Sequence, residues 1–430
     1  MRGPLGEPGF GRLWVAAFFA ESAEWMLQVA LPVHLFRTTG SATSTALSIV
    51  LGMLPMVLLS PLAGVVADRW DRRLVMCAVS VGQALVVLPL LSLSGAAVVY
   101  VVMAAQAGLA AAFEPARSAL VPQLVGVGEV TAANGLMSVN GNVARLAGGW
   151  LGGALLGASG LGAVVTGYVA ALALAVILLL KPFGRKENTP GAAVPEPMLR
   201  AWLDGLREVA RHRRLRPVGA AVVLGSVAQG MFLVLFVVYV LDTLGGSEAD
   251  AGLLRGVQAI GGLTAGLALA TIARRIAPVA LLGWGALAMG VLSAVIWNLA
   301  AVTTAIGVYA GLFMAVGAPA VLVGAGQLAE VQSVVPPERA GRVLSTVFAV
   351  VSAGLSAGAL LTGALIPVVG SAALLDAQAG LYLLAGLIVL VAHRTSRRRW
   401  EYRPALLGGG RKAGLAGRPR PGRAAAGLRR

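Results

Sequence analysis

Runs of about 20 apolar residues alternate along the whole chain with short clusters of charge. Twelve such runs stand out, over residues 13–36, 46–66, 74–93, 97–119, 130–155, 162–180, 217–240, 251–273, 278–297, 303–326, 343–368 and 374–392. Each is long enough to cross a hydrocarbon core of about 30 Å. Backbone in lipid must satisfy its own hydrogen bonds, so runs of this length predict helices, whereas a closed barrel would show short alternating strands. The expected fold is an all-α integral membrane protein with about twelve transmembrane helices.

Composition agrees. Hydrophobic residues make up 58% of the 430 and charged residues 12%, against about 25% charged in soluble domains. The net charge of +16 comes from 34 Lys and Arg against 18 Asp and Glu. The basic residues gather at Arg2 and Arg12, at Arg69–Arg73, at Arg117, between Lys181 and Arg216, at Arg274 and Arg275, at Arg339 and Arg342, and after Arg394. With alternating helices all of these fall on one side, while the opposite loops carry Asp242, Glu248 and Asp250 and hardly a basic residue beyond Arg37. Positive charge marks the cytoplasmic face. A multi-pass protein of the cytoplasmic membrane with both termini inside is therefore expected, with anionic lipid headgroups rather than nucleic acid as the partner of its basic ends. The first run is too long for a signal-peptide core and is expected to remain as helix 1. The lone cysteine, Cys77, leaves no disulfide framework, and three histidines show no metal-ligand spacing.

The polar stretch after Lys181 divides the chain. Residues 1–181 form a first six-helix half, 182–216 a cytoplasmic linker, 217–393 a second six-helix half and 394–430 a disordered basic cytoplasmic tail. Within the linker, Leu199, Trp202, Leu203, Leu206 and Val209 fall at helical spacing and predict an amphipathic surface helix.

Three local patterns narrow the reading. Gly64-Val-Val-Ala-Asp68-Arg69-Trp-Asp71-Arg72-Arg73 joins runs 2 and 3. Phe113-Glu-Pro115-Ala116-Arg117-Ser-Ala-Leu-Val-Pro122, followed by Ala132-Ala133-Asn134, lies at runs 4 and 5. Val335-Pro336-Pro337-Glu338-Arg339-Ala-Gly341-Arg342 lies between runs 10 and 11. With Phe10-Gly-Arg12-Leu13-Trp14 and Gln28-Val-Ala-Leu-Pro32, they resemble the major facilitator superfamily, in its macrolide- and siderophore-exporter branch. The resemblance implies two pseudo-symmetric six-helix halves with a substrate site near the membrane midplane. It also implies alternating access and proton-driven efflux of a lipophilic drug or secondary metabolite. Two positions depart from the pattern. Asp71 stands where the loop usually has Gly, and the turn Ala104-Ala-Gln106-Ala-Gly108 lacks the Arg that many proton-coupled drug exporters carry.

Glu21 and Glu24 are the leading candidates for chemistry. They lie three apart on helix 1, with Gln28 and Pro32 continuing the stripe. Ionisable groups at that depth are costly and face a cavity or a partner. They predict a carboxylate site for protons or a cationic substrate, or else a buried ion pair. Arg145, on one face of helix 5 with Asn134, Ser138 and Asn142, is the expected partner of Glu24, or else a grip for an anionic group. Asp68, Arg69, Arg72 and Arg73 predict a conformational latch, with the arginines on Glu129 or other acids nearby and the carboxylate on a neighbouring helix N-terminus. Glu114 and Arg117, three apart, predict a pair on helix 4. Glu330, Arg339 and Arg342 form the counterpart gate of the second half. Arg255 and Gln258 line the cavity, or Arg255 pairs with Asp376.

No phosphate-binding loop and no nucleophile–base constellation is present, so an ATP-driven pump, an enzyme and a cofactor are all unexpected. The expected partners are a small-molecule substrate and protons, and the architecture requires no oligomer. Two alternatives stay open. One is an exporter of an anionic solute such as a siderophore or organic acid, with Arg145 and Arg255 carrying recognition. The other is a non-transporting membrane sensor or scaffold acting through its basic tail.

Overall fold

The computed structural model describes residues 4–56, 58–59, 70–93, 95–125, 129–181, 183, 207, 211–272, 276–334 and 337–407, leaving aside the side chains of 8, 131, 270–272, 332, 337–345 and 395–407. The described elements are helical. α1 runs Pro8–Thr39, α2 Ala42–Leu51, α3 Arg72–Val87 and α4 Ala96–Val125. A single stretch, Val130–Leu180, breaks at Gly160, whose φ of 75° and ψ of −172° suit a residue without Cβ. It forms α5 (130–159) and α6 (161–180). Then follow α7 Leu215–Val238, closed by a π turn Tyr239–Thr243, α8 Glu248–Ile272, α9 Pro278–Asn298, α10 Ile306–Val334, α11 Pro337–Val369 and α12 Ser371–Leu407.

Among the described residues, nine stretches cross a membrane by length and hydropathy alone. Three further crossings bring the number to twelve. The stretch 132–180 divides at Gly160. α1 is long enough but carries Arg12, Glu21, Glu24 and Arg37. α2 is apolar over Ala42–Met56, and the rest of the second run lies outside the described residues. Large apolar side chains such as Leu85, Val101, Ile177, Leu267 and Trp284 stand exposed on these helices. Such a surface requires hydrocarbon around it.

The chain falls into two compact units, Met1–Leu390 and Val391–Arg430. The second holds the last turns of α12. Residues 394–407, expected as disordered tail, continue that helix, while 408–430 lie outside the described residues. Arg and Lys are good helix formers, so their density does not stop a helix. The linker expected over 182–216, with its amphipathic helix, lies largely outside the described residues, and α7 begins at Leu215.

Within the first unit the packing repeats. Gly148 and Gly152 of α5 press on Ser22 and Met26 of α1. Gly354 and Gly358 of α11 press on Ser226 and Val227 of α7. Between the halves, Gly153 of α5 meets Gly252 of α8, and Gly363 of α11 meets Thr43 and Ala46 of α2. A methyl group on Gly152 would sit 2.6 Å from the Met26 carbonyl oxygen, and one on Gly153 would sit 3.0 Å from the Gly252 Cα. Small residues are what allow helices in lipid to approach this closely. The matched α5–α8 and α11–α2 crossings relate the two six-helix halves as a pseudo-two-fold.

Candidate functional site

Glu21 faces α4. Arg117 Nη1 donates to Glu21 Oε1, and the same guanidinium donates through Nη2 to Glu114 Oε1 at 2.8 Å. Ser118 Oγ donates to the same Glu114 oxygen at 3.0 Å. The expected Glu114–Arg117 pair is therefore present, but it is one side of a triad reaching across to α1. Gly141 of α5 closes the other side: a Cβ there would lie 2.9 Å from Glu21 Oε2.

Glu24, one turn on, turns away from α5. Its Oε1 accepts from Gln28 Nε2 at 3.0 Å, within α1 itself. It opens into a space of about 30 Å³ lined also by Gln83, Gln106 and Tyr168. Gln106 Nε2 donates to the Gln83 carbonyl at 2.8 Å, and Tyr168 O–H donates to Gln106 Oε1 at 2.9 Å. These three residues of α3, α4 and α6 escape a reading of single helices. The available signal was a polar residue in mid-run, at Gln83 and again at Gln106.

Glu24 does not pair with Arg145. Residue 145 of α5 sits beside Trp25, so its guanidinium lies over that indole, 5.7 Å from the ring centroid, on a different side of α1 from Glu24. Arg145 Nε is buried without a hydrogen-bond partner. Arg255 of α8 lies over the same indole at 5.9 Å and over Phe232 at 5.3 Å. Its Nη1 reaches Gln258 Oε1 at a long 3.4 Å. Asp376, the other expected partner, accepts instead from Asn298 Nδ2 at 3.2 Å. Trp25 and Arg255, with Gln28, Pro32, Leu233 and Phe236, line a cavity of about 70 Å³ between the halves. Gln28, Gly52 and Met103 line both this cavity and the Glu24 space, so the two share a wall.

Of the other expected cavity residues, Asn134 and Ser138 are exposed on α5, and Asn142 bonds the Ser138 carbonyl at 2.9 Å. Gln258 is buried, donating to the Leu254 carbonyl at 3.4 Å. None of the four lines the two spaces described above. Of the expected latch, Asp68 and Arg69 lie outside the described residues, as do the side chains of Arg339 and Arg342. Glu330 is buried on α10. Among the described residues, Arg72 and Arg73 meet backbone. Arg72 Nη1 donates to the Ala119 carbonyl at 3.0 Å and Arg73 Nη1 to the Leu180 carbonyl, the C-terminus of α6, at 2.8 Å. Helix C-termini attract cations as carboxylates do. Asp71 caps α3, accepting from Arg73 N at 2.9 Å and Leu74 N at 3.3 Å, which a glycine could not do.

One contact between the halves had no precursor in the sequence reading. Arg37 Nε of α1 lies 3.0 Å from Glu248 Oε1 of α8, and Arg37 Nη2 donates to the Gly246 carbonyl at 3.2 Å. At the same end Thr43 Oγ1 donates to the Gly363 carbonyl at 2.6 Å.

Residues 13–359 match the sequence profile of the Major Facilitator Superfamily. The chain belongs to that family. It is 28% identical over 197 residues to the uncharacterized MFS-type transporter YfiS of Bacillus subtilis, covering 44% of this chain and 47% of that one. It is 29% identical over 279 residues to the multidrug efflux pump Tap of Mycolicibacterium fortuitum, covering 60% and 66%. The chain thus spans between about half and two thirds of the length of these curated relatives. Its fold is that of solved transporters. A bacterial homologue of the iron transporter ferroportin superposes with a TM-score of 0.66 in its inward-facing state, at 18% identity and covering 89% of this chain and 98% of that one. In the outward-facing state the score is 0.56, at 17% identity and covering 90% and 99%.

Proposed function

We propose that the protein is a secondary transporter of the cytoplasmic membrane that exports a lipophilic organic molecule by alternating access, coupled to protons at Glu24 and Glu21. The observation that carries this reading is the position of Glu24, a carboxylate in mid-helix whose space shares the wall of Gln28, Gly52 and Met103 with the cavity between the halves. Charge at such depth marks an ion or proton path. The two carboxylates are wired differently. Glu24 is held by Gln28 of its own helix, so a proton there disturbs no bond between helices. Glu21 is held by Arg117 of α4, so a proton there loosens one.

Clustered basic residues support a cytoplasmic position for the termini and the Arg72–Arg73 end. The end bonded by Arg37–Glu248 and Thr43–Gly363 is then the outer one, and the protein stands closed to the outside. The higher score against an inward-facing structure than an outward-facing one supports the same assignment. In this reading Asp68, Arg69, Arg72 and Arg73, with Glu330, Arg339 and Arg342, latch the inner end when the halves rock, and the linker joins the halves on the cytoplasmic side. Outward transport rests on the likeness to the efflux pump Tap.

Full-length protein in liposomes tests the reading. Lipophilic cations, macrolides and siderophores are offered in turn while internal pH is followed. Compound-dependent proton flux that disappears in Glu24→Gln or Glu21→Gln is the expected result. Transport that persists unchanged in both overturns the proton site on α1.

A further inference from the structure

We infer that the transported molecule is an organic anion, a carboxylate or sulfonate on a lipophilic body, whose charged end is gripped between Arg145 of α5 and Arg255 of α8. The word transported rests on the reading above; the binding site does not.

The two guanidiniums come from opposite halves and both lie against one indole, Trp25, at 5.7 and 5.9 Å from its centroid. Among the described residues no carboxylate stands within ion-pair distance of either, because those of α1 are engaged elsewhere, Glu21 by Arg117 and Glu24 by Gln28. Arg145 Nε is buried and bonds nothing. Two half-buried like charges without a counter-ion are unfavourable, and a structure keeps them where a ligand supplies the opposite charge. The guanidinium fork takes a two-oxygen anion bidentately, and here two forks lie against the same ring. The rest of the wall selects the body. Trp25, Pro32, Leu233 and Phe236 give the cavity an apolar lining beside Arg255, so a bare inorganic ion would leave most of it unused. A cation of the same shape would face two positive groups. Because one arginine belongs to each half, an anion that bridges them also ties α5 to α8 a few residues from their crossing at Gly153 and Gly252.

The test is equilibrium binding to the purified full chain in nanodiscs of zwitterionic lipid, read by pyrene fluorescence. The probes are pyrenebutyrate, pyrenebutanol and pyrenebutylammonium, which share a body and differ in the charge of the head. Pyrenebutyrate is expected to bind at least about tenfold more tightly than the other two, as one charge-assisted hydrogen bond suffices to give. Arg145→Gln and Arg255→Gln each abolish that preference by weakening pyrenebutyrate far more than pyrenebutanol, whose retained binding reports the folded cavity. Arg→Lys at either position keeps part of it. Equal or tighter binding of the ammonium, or a preference that survives both Gln substitutions, overturns the proposal. So does displacement of pyrenebutyrate by millimolar sulfate or by anionic phospholipid in the disc, which would assign the arginines to a bare ion or to a lipid headgroup. No proton gradient enters this measurement. An anion preference without coupled proton flux would sink the proton site and leave this one standing, and coupled flux with an ammonium preference would do the reverse.

Discussion

Arg37 at the end of α1 and Glu248 at the start of α8 form an ion pair of 3.0 Å that joins the two halves at one end. Both side chains are partly exposed, at 45% and 24%. Such a pair is worth roughly 0.2–1 kcal/mol, enough to shift a two-state equilibrium about fivefold at most. Arg37→Ala or Glu248→Gln should raise the accessibility of a cysteine placed at Val33 to a membrane-impermeant thiol reagent added outside, in a Cys77→Ala background. The charge swap Arg37→Glu with Glu248→Arg should restore protection. Labelling that is equal in all four proteins would remove the pair from any gating role.

The triad of Glu21, Arg117 and Glu114 makes a prediction about stability. Glu21 and Arg117 are 18% and 14% exposed, whereas Glu114 is 50% exposed. Removing one member of a buried pair costs roughly 3–5 kcal/mol, and exposure of this degree lowers that figure. Removing an exposed member costs below about 1 kcal/mol. Arg117→Gln should therefore lower the melting temperature in detergent clearly more than Glu114→Gln does. Adding Glu21→Gln to Arg117→Gln should recover part of the loss, since the only carboxylate then left without its arginine is the half-exposed Glu114. A double variant as unstable as the sum of its single changes would contradict the pairing.

Gln106 links α3 to α6, donating to the Gln83 carbonyl and accepting from Tyr168. Tyr168→Phe removes one hydrogen bond, about 1 kcal/mol. Gln106→Leu leaves the buried Tyr168 hydroxyl without a partner, roughly 1–3 kcal/mol. Thermal unfolding should rank the two in that order, and the double variant should cost less than the sum of the parts. Equal losses would mean that the hydroxyl finds another acceptor.

How far the sequence could be read depended on whether a feature lay within one helix or between helices. Twelve crossings were legible because hydropathy is local, and the break at Gly160 falls in the gap expected between runs 5 and 6. The Glu114–Arg117 pair was legible because residues three apart share a helix face. The third member, Glu21, was not, because it is 96 residues away and only the packing of α1 on α4 brings it there. Arg145 was given the wrong partner for the same reason. Spacing placed it near mid-helix, but the rotation of α1 that offers it Trp25 instead of Glu24 is set by Gly148 and Gly152 seating on Ser22 and Met26. Arg72 and Arg73 were expected on carboxylates and found on carbonyls, since a helix end carries no mark of charge in its sequence.

Where Gly153 and Gly252 cross, backbone touches backbone with no side chain between. Interdigitated side chains act like gear teeth, and turning one helix against another would require each tooth to change rotamer. A seam of bare backbone has no teeth. It behaves as a smooth bearing, so the resistance to rocking falls on the few polar bonds at the ends and in the cavity, where a proton or a ligand can reach them. The glycines thereby hand control of the motion to chemistry.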